Sequence, residues 1–82
     1  GMDVSVCDPL VSQKINVDMN WIQWNDLHDC DAMVICQAHT VFLNEGLKGF
    51  AAKLGERGII IDIAALFDES TAAREGIAYW CL

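Results

Sequence analysis

The sequence predicts an α/β fold: a mostly parallel, open sheet of about five short strands with flanking helices. Three observations carry this. Ala32-Met33-Val34-Ile35-Cys36 and Ile59-Ile60-Ile61 are short, continuous apolar runs, which suit strands buried on both faces of a parallel sheet. Between them Leu43, Leu47, Phe50 and Leu54 fall at the spacing of one helical stripe. Strand and helix signals then alternate to the last residues, the order of parallel β-α-β units.

Taken in order, Val4-Ser5-Val6-Cys7 alternates and meets Asp8-Pro9, so it reads as a short strand stopped by a turn. The polar, mixed stretch from Leu10 to Met19 reads as loop or ragged helix. Trp21-Ile22-Gln23-Trp24 is a second strand candidate, and Asn25 caps a helical turn through Leu27 and Cys30. The Ala32 run is the third strand. The helix that follows has Thr40 as its N-cap and stops at Gly55 or Gly58. Gly58 to Ile63 forms the next strand. Asp68 or Ser70 caps a short helix through Ala72, Ala73 and Arg74, which Gly76 ends, and Ile77-Ala78-Tyr79-Trp80 closes the sheet.

With 82 residues the chain forms a single domain, 1–82. An apolar fraction of 54% separates it from disordered chains. Twelve acids against five bases give a net charge of -7. Nucleic-acid binding requires a basic footprint, and an anionic membrane surface repels this sign. No apolar run approaches the roughly 18 residues of a membrane span. No secretory or transit signal is read at the N-terminus, so the expected location is cytoplasmic.

That compartment keeps thiols reduced. Cys7, Cys30, Cys36 and Cys81 include no CxxC pair, which removes zinc-ribbon and thioredoxin readings. Cys7 and Cys36, each inside an apolar run, are expected as small buried hydrophobes. Cys81 is expected to be the more exposed and oxidisable thiol.

In open parallel sheets ligands gather at the carboxyl ends of the strands. Here those ends are Asp8-Pro9, Gln37-Ala38-His39-Thr40 and Asp62-Ile63-Ala64. Asp8 either contacts a ribose or basic group or forms an Asp-Pro turn. Asp62, after three isoleucines, is either a desolvated acid marking a site or a cap for the next turn. His39 as a base needs a nucleophile or substrate within reach; none is identifiable, which favours a hydrogen-bonded structural histidine. His28, in the acidic stretch from Asp26 to Asp31, reads as a solvated turn residue. Trp21, Trp24 and Trp80 either stack on a base or fill a small core. The chain has no glycine-rich phosphate loop, GxSxG or HExxH. No catalytic residue and no metal ligand set is assigned.

Five segments in register resemble the C-terminal domain of the UDP-glucose/GDP-mannose dehydrogenase family. Val4-Ser5-Val6-Cys7-Asp8-Pro9 is similar to its V-x-V-Y-D-P strand and turn, and Asp31-Ala32-Met33-Val34-Ile35 to A-D-A-V-V-I. His39-Thr40-Val41-Phe42 resembles E-H-x-x-F, Gly58-Ile59-Ile60-Ile61-Asp62 resembles V-I-x-D-G-R, and Gly76-Ile77-Ala78-Tyr79 resembles G-F-x-Y. The UDP-N-acetylmannosamine dehydrogenases are one branch. The resemblance implies a Rossmann-like domain that helps bind a UDP-sugar. The full enzymes oxidise a sugar alcohol to a uronic acid with NAD. The NAD-binding domain and the catalytic cysteine belong to parts this chain lacks, so none of its cysteines takes that role and it binds no cofactor itself.

The departures shape the expectation. The family's opening F-K-x-D-x-D-x-R segment has no counterpart, and its strand would lie between the Val4 and Met33 strands. The D-G-R arginine is absent, since Asp62-Ile63-Ala64 stands there. Both lost cations favoured a diphosphate. The implied contacts are therefore Asp8, His39, Thr40 and Asp62, with weak UDP-sugar binding and no catalysis by this chain alone. The alternative is a non-catalytic interaction module that forms a homo-oligomer through exposed strand edges.

Overall fold

A computed structural model describes residues 4–7 and 21–81. Its regular elements are β1 (Cys30–Ile35), α1 (Thr40–Ala51), β2 (Leu54–Asp62), α2 (Glu69–Glu75) and β3 (Tyr79–Cys81), preceded by a 3-10 turn, Trp24–Asp26. The strands form one parallel sheet in the order β1-β2-β3. The α/β class and the parallel sheet therefore hold, with three strands rather than five among the described residues.

Of the two other strand candidates, the described residues form an isolated bridge rather than a ladder. Val6 and Trp21 form an isolated parallel bridge, in which the Ile22 amide donates to the Val6 carbonyl at 2.8 Å. Trp24 enters the 3-10 turn instead of a strand, and that turn has no side-chain cap, so Asn25 does not have the capping role expected of it. The expected turn at Asp8-Pro9 and the stretch from Leu10 to Met19 lie outside the described residues.

Alternation explains the layers. Met33 and Ile35 face one side of β1 and pair with Ile60 and Asp62, which pair in turn with Tyr79 and Cys81. On this side Ile35, Ile60, Leu47 and Phe50 of α1, and Ala72 of α2 form a shared core, so both helices cover the same face. Phe50 sits in an aromatic cluster with Trp24, Phe42 and Phe67 at centroid distances from 4.7 to 5.6 Å. The Lys48 ammonium meets the Glu75 carboxylate at 3.3 Å, joining the two helices at the surface.

The opposite face carries the row Val34, Ile61, Trp80. Val34 is 52% and Trp80 51% exposed. The β1 run is thus buried on one face, not both, and Cys36 at its end is exposed rather than buried. Cys81 is half-buried, with its thiol 3.8 Å from a Glu69 carboxylate oxygen.

Two glycines correct the helix boundaries. Gly46 has φ 74° and ψ 167° inside α1, so the helix is broken there into two pieces. That break turns Leu43 out of the expected stripe: it is 54% exposed, while Leu47 and Phe50 are buried. The helix then stops at Ala51, and Gly55 and Gly58 belong to β2. Residues 30 to 32 of β1 pair with 54 to 59 of β2, two steps against five, so β2 carries three extra residues there. Gly58 lies in this bulge with its backbone against Cys30; a Cβ would stand 2.6 Å from the Cys30 carbonyl oxygen. A bulge with a close backbone approach is a common setting for a strand glycine.

Candidate functional site

The carboxyl ends of β1 and β2 lie side by side, because Ile35 pairs with Asp62. The Ile63 and Ala64 amides both donate to the Ile35 carbonyl, at 3.0 and 3.1 Å, stitching the two ends together. A left-handed Ala65 (φ 54°) then reverses the chain toward α2.

Asp62 is fully buried, the only buried charged side chain among the described residues. One carboxylate oxygen accepts from the Leu66 amide at 2.9 Å. The other accepts from the Phe67 amide at 2.8 Å and from the Tyr79 hydroxyl at 2.6 Å. Asp62 caps the following turn, as one reading expects, and its carboxyl is desolvated, as the other does. Three donors from the chain itself take three of its roughly four acceptor sites. Burial first, and then the hydrogen bond and charge of Asp62, raise the Tyr79 phenol well above its ordinary pKa.

His39 is the N-cap of α1, and its Nδ1 accepts from the Val41 amide at 3.1 Å. The cap is therefore His39 rather than Thr40, which is the first residue of the helix and exposed. Its ring also meets Phe42 edge-on, with centroids 6.2 Å apart. This matches the structural-histidine reading. His28 is exposed beside Asp29, at 3.2 Å. Asp8 lies outside the described residues. His39, Thr40 and Asp62 thus share one end of the sheet, but two of the three are engaged with backbone amides.

The tryptophans divide. Trp24 packs on Phe50 with Lys53 over its ring at 5.4 Å, whereas Trp80 stands on the open face. Among the described residues no group of three His, Cys, Asp or Glu side chains is arranged to hold a metal ion. No described helix is long and apolar enough to cross a membrane. Described lysine and arginine contacts lie away from the strand ends: Lys48 with Glu75, Lys53 over Trp24, Arg74 with Thr71.

One feature was not assigned from sequence. A cleft of about 320 Å³ is lined by Ser5, Val6 and Cys7 on one segment and by Val34, Cys36 and Gln37 on the other. All six side chains are uncharged. The available signal was the expected gap between the Val4 and Met33 strands, where this cleft lies.

No family model, curated protein or solved structure matches the chain.

Proposed function

We propose that this chain is a non-catalytic α/β recognition module, the counterpart of the nucleotide-sugar-binding domain that its motifs resemble. The carrying observation is the engagement of the strand-end groups. The Asp62 oxygens accept from Leu66, Phe67 and Tyr79, and the His39 Nδ1 accepts from Val41. A general base or nucleophile must be able to reach a substrate proton or carbon, and both groups already serve the backbone.

In this reading a UDP-sugar meets the carboxyl ends of β1 and β2, near His39 and the exposed Thr40 hydroxyl, and NAD is handled by another part of the family's enzymes. With a net charge of -7 and no described cation at those ends, a diphosphate gains little electrostatic attraction. UDP titrated calorimetrically into the chain should bind near Kd of about 1 mM, or about -4 kcal/mol. Thr40→Val should weaken that binding further without changing the urea midpoint. NAD-dependent oxidation of a UDP-sugar by the purified chain would refute the non-catalytic reading. Absence of any UDP heat at millimolar ligand would remove the nucleotide.

A further inference from the structure

We infer that the outer edge of β1 accepts a β-strand from a second polypeptide, and that this strand is uncharged, β-branched and flanked by basic residues. The inference does not depend on nucleotide binding.

The backbone supplies the first argument. Ile63 and Ala64 donate to the Ile35 carbonyl, so the polar backbone groups of Ile35 face β2. Alternate residues of a strand direct these groups to opposite sides. Those of Val34, and of Ala32 before it, therefore face away from β2, toward the cleft. Among the described residues no strand pairs with this edge, since β1 ends the order β1-β2-β3. Its sequence, Cys30–Ile35, contains neither proline nor lysine, two of the usual devices that blunt an edge.

The walls supply the second. Val6 and Val34 line the cleft with Ser5, Cys7, Cys36 and Gln37, and none of these six described residues carries a charge that an apolar occupant would desolvate. Branched side chains on an added strand would extend the open-face row Val34, Ile61, Trp80 by one position.

Charge selects the source. Exposed strand edges by themselves favour a second copy. A second copy brings another -7 against the first. Asp29, just before β1, and Asp31, its second residue, are both exposed. Like-charge contact disfavours the copy, and a basic-flanked partner strand is steered to the same place.

The test uses the whole chain and a short synthetic peptide, an alternating valine–threonine core between paired lysines. Binding should slow N-ethylmaleimide alkylation of Cys36 several-fold and slow exchange of the Val34 amide by at least about tenfold. A twin peptide N-methylated on alternate amides should do neither. A twin with glutamates for the lysines should bind at least about tenfold more weakly at low salt, with the gap closing at high salt. Val34→Pro removes the outward donor at an edge position, where proline is tolerated, and should abolish the protection. The N-methylated peptide carries the same test should that variant not fold. Protection by neither peptide, or equal protection by the N-methylated one, overturns strand pairing. Equal binding of the glutamate peptide overturns the basic-flanked partner. A Val34 amide already protected in the free chain overturns the inference too. A doubled mass in light scattering would then identify a second copy as the occupant, and an unchanged mass the chain's own residues 8–20.

Discussion

Asp62 brings together groups far apart in sequence: two amides of the turn after β2 and the Tyr79 hydroxyl of β3. A carboxylate in this position holds three donors that would otherwise be left without partners. Asp62→Ala should therefore cost about 3 kcal/mol or more, because each unsatisfied buried donor costs about 1–3 kcal/mol. Tyr79→Phe removes a single hydrogen bond to a charged acceptor and should cost about 2 kcal/mol. Urea unfolding of both variants and of the double variant measures their coupling. Additive losses would refute the shared network. The raised phenol pKa of Tyr79 sets the sign of a pH effect. The folded state holds the phenolic proton more tightly than the unfolded state. Its stabilisation is complete below the unfolded value of about 10 and is lost as pH rises beyond it. Wild type should lose stability from about pH 10 upward, and Tyr79→Phe should lack that part of the slope. Asp68 has the opposite sign. The Thr71 backbone hydrogen bond holds its carboxyl below the ordinary range, so its contribution is present above the unfolded value and is lost as acid protonates it.

At the scale of elements, what the sequence made legible depended on whether local pattern was enough. The three sheet strands, the order of the two helices and the pair Asp68 or Ser70 as the cap were readable from apolar runs, caps and the Gly76 stop; all three strands are found, and of the pair Asp68 is the cap. Leu43, Leu47, Phe50 and Leu54 fit one helical period and predict a continuous stripe. The period cannot show a backbone break or a helix end: Gly46 interrupts α1 and Leu43 is exposed, while α1 stops at Ala51 and Leu54 opens β2. The first two strand candidates had the right alternation but form, among the described residues, an isolated bridge rather than a ladder. Asp62 showed the same limit for the candidate site. Its place after three isoleucines announced burial, but the donors its carboxylate accepts from come from residues up to 17 positions away. Both glycines yield predictions. Gly46→Ala must hold a backbone region essentially reserved for glycine, at about 1–3 kcal/mol. Gly58→Ala puts a methyl against the Cys30 carbonyl and the Leu54 side chain, an overpacking of about 1–3 kcal/mol. Amide exchange separates them. Gly58→Ala should loosen Cys30 and Leu54 across the β1–β2 bulge, whereas Gly46→Ala should loosen α1. Loss of protection in the same element for both would contradict this assignment.

Over the whole molecule, two properties oppose each other. Both helices cover one face of the sheet, leaving the row Val34, Ile61, Trp80 on the other. An open apolar face favours association. A net charge of -7 at neutral pH opposes it by repulsion between copies. The balance should therefore follow charge. Near neutral pH and low salt, dilute chain should scatter light as a monomer. As pH falls toward the isoelectric point near 4.3, repulsion vanishes and the apparent mass should rise. Acid also protonates carboxylates such as Asp68 and so weakens the fold, which by itself exposes apolar surface. High salt at pH 7 separates the two causes, because it screens repulsion within a few ångströms and leaves protonation unchanged. Association driven by the open face should appear under both conditions with far-UV circular dichroism unchanged. Trp80→Gln should suppress it under both, and Val41→Gln, an exposed apolar site on α1, should not. A Trp80→Gln chain that associates as wild type does would show that the sheet's uncovered face is not the surface involved.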